Sequence, residues 1–171
     1  MKSQKNRILI KSLHYENMMD LGKIFSKFIL NTNLNLVYLK GNLGSGKTSF
    51  IRSIIQGLGI CETISSPSFS IIEVYNNNSR EIIHIDLFRT QCPQAWRTDE
   101  IRNYLENDEN LILLEWPEKG NFLPKPNLLI ELFWSNDSNP NGPRDIKISG
   151  TEITRFLGYI DSLDLEKFKY E

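Results

Sequence analysis

Several features that would narrow the function of this chain are missing from its sequence. No apolar stretch approaches the roughly 20 residues of a membrane-spanning helix, and no apolar signal core follows the basic N-terminus. The two cysteines, Cys61 and Cys92, have no metal-ligand spacing, which indicates free thiols in a reducing compartment. With 20 basic and 21 acidic residues, the chain has no charge excess that would attract nucleic acid or an anionic membrane. These absences predict a cytoplasmic protein without membrane contact, which would meet any RNA only through a partner.

What the sequence does contain is a phosphate-binding loop. Gly41 to Thr48 read G-N-L-G-S-G-K-T, a full match to G-x-x-x-x-G-K-[ST]. In such a loop backbone N–H groups point at a phosphate, Lys47 supplies a positive charge for the β- and γ-phosphates, and the Thr48 hydroxyl ligates Mg²⁺. The apolar run Leu34 to Leu39 precedes the loop and a helix-compatible run, Thr48 to Gln56, follows it, which aims a helix N-terminus at the anion. The predicted nucleotide-binding residues are Gly41, Asn42, Leu43, Gly44, Ser45, Gly46, Lys47, Thr48 and Ser49.

The apolar pattern on both sides of the loop predicts an α/β fold in one domain, residues 1–171. Apolar residues at i, i+3 and i+4 spacing mark a helix from Glu16 to Leu30, and an all-apolar strand runs from Leu111 to Glu115. The other predicted elements are a hairpin of Phe69 to Tyr75 with Glu81 to Asp86, a helix from Arg97 to Asn107, a hairpin of Asn127 to Phe133 with Asp145 to Ile148, and a last helix from Glu152 to Tyr159 with Thr151 as its N-cap. We therefore expect a three-layer P-loop sandwich whose central sheet is mixed because it includes the hairpins.

Two of these strands end in an acid, which is where a P-loop protein places the carboxylate that holds or orients Mg²⁺. Asp86 ends one strand and Glu115 ends the other. Because side chains alternate along a strand, His84 and Asp86 share one face and are able to point into one site. The same pattern is also typical of a buried strand histidine and of an acid that caps a strand end.

Three further features have two interpretations each. Trp116 either stacks on a base or packs a loop. Arg89 either neutralises phosphate charge or pairs with an acid. The segment Ser66-Pro67-Ser68 is either a switch that senses the γ-phosphate or an ordinary turn.

Together, these motifs resemble the TsaE (YjeE) family. The stretches that carry the resemblance are GNLGSGKTSF, SSPSF, HIDLFR and LLEWPEKG with LP just after, in this order within about residues 8 to 150. The resemblance implies a P-loop α/β sandwich and a weak ATPase that uses ATP and Mg²⁺. It also implies a function in bacterial tRNA threonylcarbamoyladenosine biosynthesis, in a complex with TsaD and TsaB and with only indirect contact to tRNA.

The resemblance also assigns roles to single residues. It implies Asp86 as a catalytic or water-orienting group and Glu115 as a Mg²⁺ ligand beside Thr48, with Asp86 as a further candidate ligand. It places His84 in an H-x-D motif and Ser66, Pro67 and Ser68 in the switch. The residues implied on the nucleotide side are Trp116, Arg144 and the segment around His14 and Tyr15.

The sequence also departs from the family pattern. Ser68 stands where the family usually has Thr, Phe88 replaces a commoner Tyr, and the segment Gln91 to Asp99 lacks the expected leucine and glycine. A small-molecule kinase remains an alternative, although Ser135 to Arg144 contains one arginine where a kinase lid usually has several. A non-hydrolysing nucleotide-dependent adaptor is another. A GTPase is disfavoured, because the guanine-reading pattern N-K-x-D is absent.

Overall fold

The computed structural model describes residues 7–64, 67, 70–94, 96–136, 142–163, 168 and 170–171. The strands are Arg7–Leu13 (β1), Leu36–Gly41 (β2), Ile72–Asn76 (β3), Glu81–Asp86 (β4), Leu111–Glu115 (β5), Leu128–Trp134 (β6) and Arg144–Ser149 (β7). The helices are Tyr15–Leu30 (α1), Lys47–Gly57 (α2), Asp99–Glu106 (α3) and Ile153–Ser162 (α4), with a 3₁₀ turn at Pro117–Lys119. Within these ranges, no helix is long and apolar enough to cross a membrane.

The strands form one mixed sheet in the order β1-β7-β6-β2-β5-β4-β3. The four central strands, β6, β2, β5 and β4, run parallel to one another. The outer strands are antiparallel, with β3 on β4 at one side and β7 between β6 and β1 at the other. Both predicted hairpins and the predicted mixed sheet are therefore confirmed.

Helices cover both faces of the sheet, which confirms the predicted three-layer arrangement. Alternation along the strands divides the apolar side chains into two cores. Val37 and Leu113 belong to the core that contains residues of α1, α2 and α4. Tyr38 and Ile85 belong to the opposite core, with Ile101 of α3. Since Ile83 and Ile85 face the α3 side, His84 and Asp86 face the side that α2 covers.

The helix that follows the phosphate loop lies very close to α1. A Cβ atom added to Gly22 would lie 1.7 Å from Ser53 Oγ, and one added to Gly57 would lie 2.1 Å from Ser26 Oγ. Two glycine–serine contacts therefore bring the helices into close approach. Since α2 carries Lys47 and Thr48, this contact also determines where those two residues lie.

Two local predictions need correction, and one strand was not predicted. Thr151 is not the N-cap of α4: its hydroxyl donates to the Asn127 carbonyl, and the helix begins at Ile153 after Glu152. The helix expected from Arg97 begins later, at Asp99, because the Thr98 hydroxyl accepts a hydrogen bond from the Ile101 N–H and caps it. The sequence did not predict β1, which pairs with β7 from the far end of the chain.

Candidate functional site

The phosphate loop connects the end of β2 to the start of α2. Gly44 and Gly46 have φ angles of 80° and 102°, a backbone region that favours glycine. A Cβ atom on Gly46 would also come within 2.9 Å of Met18 Cε, so α1 packs directly on this turn. The backbone N–H of Phe50 donates to the Gly46 carbonyl, and this hydrogen bond closes the first turn of α2.

Lys47 lies across its own loop and is only 4 % exposed. Its ammonium group donates to the carbonyls of Gly41 (2.8 Å) and Asn42 (3.1 Å) and lies 3.8 Å from the centre of the Trp116 ring. Burial lowers the pKa of Lys47, while the nearby carboxylate of Glu115 opposes that shift. The Lys47 ammonium group is thus a partly desolvated cation, and a phosphate oxygen is able to replace the two carbonyl oxygens to which it donates.

Glu115, the last residue of β5, contacts side chains of both α2 and β4. Its Oε2 accepts a hydrogen bond from the Thr48 hydroxyl (3.1 Å), and its Oε1 lies 2.9 Å from His84 Nε2. His84 is fully buried and Glu115 is 1 % exposed, while His84 Nδ1 has no hydrogen-bond partner among the residues that the structure describes. In the tautomer protonated at Nε2, the histidine donates to Oε1 and fixes the carboxylate. His84 is therefore a buried strand histidine and also a contact of a candidate site residue. The two interpretations from the sequence hold together.

Asp86 is the second acid of the site and lies opposite Glu115 in the parallel pairing of β4 and β5. The Phe88 N–H donates to Asp86 Oδ1 (2.8 Å). Burial raises the pKa of Asp86, and the charge of Glu115 acts in the same direction. Both acids line a cleft of about 330 Å³ together with Lys47 and Thr48. The structure therefore brings together the predicted acids and the phosphate loop.

The same cleft includes three aromatic or basic side chains that follow the acids. Trp116 and Arg89 line it, and so does Phe88, whose ring centre is 4.8 Å from that of Trp116. Trp116 has a φ of 59°, an uncommon value for a large residue, which turns its ring over Lys47. The sequence did not identify Phe88 as a site residue, although its position two residues after Asp86 was the available signal.

The oxygen donors of this cleft fit Mg²⁺. Thr48, Glu115 and Asp86 offer a hydroxyl and two carboxylates, the hard ligands that Mg²⁺ prefers. Among the described residues, no group of three or more His, Cys, Asp or Glu side chains is placed to hold a metal ion. Mg²⁺ typically keeps several waters and takes substrate phosphates as further ligands, so Thr48, Glu115 and Asp86 would hold it together with those.

A second cavity of about 330 Å³ adjoins the other side of the phosphate loop. Tyr15, Gly44, Gly46, Ser49 and Arg144 line it, together with Met18 and Gly142. Arg144 donates from Nε to the Ser45 carbonyl (3.1 Å), and its guanidinium lies 3.5 Å from the Trp134 ring centre. The predicted nucleotide-side residues Tyr15 and Arg144 are thus both beside the loop. Met18 and Trp134 were missed: the predicted hairpin ended at Phe133 and resumed at Asp145, one residue short on each side of the observed pairing of Trp134 with Arg144.

Two predicted residues of the switch segment, Ser66 and Ser68, lie outside the described residues. Pro67 is described, and its carbonyl accepts a hydrogen bond from the Ile71 N–H. His14 is the N-cap residue of α1, without a side-chain capping bond. The switch hypothesis remains a prediction.

The mixed sheet and the loop from Gly41 to Thr48 define this molecule as a P-loop α/β protein. The crystal structure of YdiB from Bacillus subtilis has the same fold, with a TM-score of 0.66, 22 % identity, and coverage of 94 % of this chain and 96 % of that one.

Sequence comparison is more specific. Residues 13–142 match the model of the family "Threonylcarbamoyl adenosine biosynthesis protein TsaE". The tRNA threonylcarbamoyladenosine biosynthesis protein TsaE of Haemophilus influenzae is 34 % identical over 126 residues, 71 % of this chain and 79 % of that protein. The protein of the same name from Borreliella burgdorferi is 32 % identical over 129 residues, 74 % and 83 % of the two chains. The chain belongs to the TsaE family of threonylcarbamoyladenosine biosynthesis proteins.

Proposed function

We propose that this chain hydrolyses Mg-ATP as an accessory subunit for threonylcarbamoyladenosine modification of tRNA, in a complex with TsaD and TsaB. The observation that carries the proposal is the set of contacts from His84 through Glu115 to Thr48, next to Lys47. A protein that only bound phosphate would not need two buried carboxylates beside the loop, because each acid costs free energy to bury.

Each residue of the cleft has a proposed role. Lys47 and the loop amides stabilise charge on the transferred phosphoryl group. Thr48 and Glu115 hold Mg²⁺, directly or through water, and His84 keeps the Glu115 carboxylate in one orientation. Bound Mg²⁺ would neutralise charge on the β- and γ-phosphates. Asp86 orients the attacking water or accepts its proton, and burial favours the second role because a raised pKa makes the carboxylate a stronger base.

On the nucleotide side, we propose that Tyr15, Trp116 and Arg144 border the bound ATP. Arg144 also supports the loop through the Ser45 carbonyl. With 20 basic and 21 acidic residues, the chain offers no charge excess for tRNA, so we propose that the partner proteins bind the RNA. We further propose that the complex works in the cytoplasm.

The test is phosphate release from Mg-ATP by Lys47→Ala, with and without TsaD and TsaB. Removing one donor that stabilises developing charge typically lowers turnover about 10²- to 10³-fold, and we expect a loss of this size. Lys27→Ala is the matched control, since Lys27 is exposed in the last turn of α1. Unchanged hydrolysis by Lys47→Ala would overturn the site, and a wild-type chain that releases no phosphate with either partner would overturn the activity.

A second variant separates hydrolysis from nucleotide-dependent binding. Asp86→Asn keeps an acceptor for the Phe88 N–H but removes the proposed base. We expect it to bind Mg-ATP and the partners while failing to support tRNA modification. Normal levels of modified adenosine with this variant would favour the adaptor alternative.

A further inference from the structure

A third cavity lies along α2 and shares no wall residue with the two cavities at the phosphate loop. It has a volume of about 450 Å³ and is lined by Arg52, Gln56, Cys61, Glu62, Thr63 and Ile64. Arg52 lies one helical turn after Thr48 in α2, so the two side chains project from the same face of the helix. The cavity thus lies between α2 and residues 61–64, which follow the helix in the sequence.

Arg52 is the unusual member of this cavity. Its Nε is buried without a hydrogen-bond partner, and within the described part of the chain no hydrogen bond or ion pair reaches its guanidinium. Arg80 also has a buried nitrogen without a partner, Nη2, but its Nη1 donates to the Leu34 carbonyl, and Arg144 donates to the Ser45 carbonyl. A buried donor without a partner is destabilising, and more so when it is charged. The Arg52 guanidinium is therefore available to an acceptor that a partner supplies.

Neither neighbouring candidate inside the cavity supplies that acceptor. Glu62 lies on the cavity wall, but none of the ion pairs among the described residues joins it to Arg52. The Cys61 thiol is directed at the Gly59 carbonyl. The cavity therefore presents a cationic fork beside the amide of Gln56 and the hydroxyl of Thr63, all of which are able to donate hydrogen bonds.

The chemistry of this cavity favours a single carboxylate over a nucleic-acid backbone. The planar guanidinium matches the two oxygens of a carboxylate. A phosphate backbone is usually bound by an extended basic surface, whereas this chain has 20 basic and 21 acidic residues and the cavity wall carries Glu62. Repulsion by Glu62 is smaller for one carboxylate than for a polyanion.

We propose that the cavity receives an Asp or Glu side chain of a partner protein and that Arg52 anchors it. The inference rests on the proposed function, since it needs a protein partner. Because Arg52 and Thr48 are on one rigid helix, a partner docked here lies next to the Mg²⁺-binding end of the nucleotide cleft without contacting the nucleotide. Docking and the ATP site are thereby joined through α2.

The experiment measures two dissociation constants for each full-length variant: one for the TsaD–TsaB proteins in the presence of Mg-ATP, and one for Mg-ATP alone. Arg52→Gln should weaken partner binding about 10- to 100-fold, because a hydrogen bond to a charged group contributes about 1.5–3 kcal/mol. Arg52→Lys should have an intermediate effect, since it keeps the charge but loses the fork. Mg-ATP affinity should change less than about twofold in both. Arg155→Gln, at an exposed position of α4, is the matched control and should change neither constant.

A charge exchange then tests the chemistry. Arg52→Glu should be rescued by changing one acidic partner residue to Arg, and thermal unfolding of each variant verifies that it is folded. Wild-type partner affinity in Arg52→Gln would overturn the inference and leave the proposed function intact. Weakened Mg-ATP affinity would place Arg52 in the nucleotide site, and a defect seen only when tRNA is present would identify an RNA phosphate as the anion; both overturn it. Failure of the wild-type chain to bind the partners would contradict the proposed function itself.

Discussion

The contact between His84 and Glu115 gives a prediction whose size follows from burial. His84→Ala removes the donor that faces Glu115 Oε1 at 2.9 Å, where both side chains are inaccessible to solvent. Leaving a buried charged acceptor without its donor typically costs about 3 kcal/mol, because Oε1 loses its hydrogen bond while only Oε2 still accepts from Thr48. We expect a loss of this size in the free energy of unfolding, measured by urea denaturation at neutral pH.

His84→Gln is the conservative comparison. A glutamine amide is able to donate to Oε1 from nearly the same position, and no second bond is lost because, within the described ranges, His84 Nδ1 has no partner. We expect His84→Gln to lose only about 1 kcal/mol, the size of one imperfect neutral hydrogen bond. Because Glu115 also accepts from Thr48, His84→Ala should lower Mg-ATP turnover more than His84→Gln does.

Combining His84→Ala with Glu115→Gln tests the physical reason. If the cost comes from an unpaired buried charge, removing that charge should recover part of the lost stability. An unfolding free energy for His84→Ala within 1 kcal/mol of wild type, or equal losses for the alanine and glutamine variants, would refute this account of the pair.

Three further predictions concern the helix contact, the second acid and the nucleotide side. Gly22→Ala should destabilise the fold by about 1–3 kcal/mol, as overpacking does, because the new Cβ would lie 1.7 Å from Ser53 Oγ; adding Ser53→Gly should restore thermal stability. Burial raises the pKa of Asp86 above 3.8, so the folded state favours its protonated form. The folded state therefore loses stability as pH rises through that raised pKa, and Asp86→Asn should raise the melting temperature at pH 7 but not at a pH below 3.8. Arg144→Ala removes the donor to the Ser45 carbonyl and should weaken Mg-ATP binding about tenfold in a calorimetric titration, the equivalent of about 1.4 kcal/mol.

Each of these has a matched control. Gly158→Ala should be neutral or stabilising, because a Cβ there meets nothing within 4 Å; equal losses for Gly22→Ala and Gly158→Ala would contradict the packing argument. A gain for Asp86→Asn that is the same at every pH would show that the carboxylate charge is not its cause. Arg155→Ala should leave Mg-ATP affinity unchanged, and a loss equal to that of Arg144→Ala would remove the case for a local contact.

The elements that sequence predicted best are those whose signals are local. The strand from Leu111 to Glu115 has the predicted bounds, because an all-apolar run that ends in an acid marks both its burial and its end. The mixed sheet followed from two runs of strand residues separated by short polar segments. In contrast, β1 pairs with β7, which lies more than a hundred residues later in the sequence, and no residue near β1 indicates that partner. Thr151 failed as a cap because its hydroxyl bonds to Asn127, a contact that its neighbours in sequence do not reveal.

By itself, the sequence determined the phosphate loop, its glycines and the two strand-end acids, since these depend on residue types at fixed spacing within single segments. Only the tertiary structure decided that His84 bonds to Glu115, that Glu115 also accepts from Thr48, and that Arg52 Nε finds no acceptor in the described part of the chain. The reason is physical: those relations depend on the register of β4 against β5 and on how closely α2 packs on the sheet. A shift of one residue in that register would turn every side chain of a strand to the opposite face.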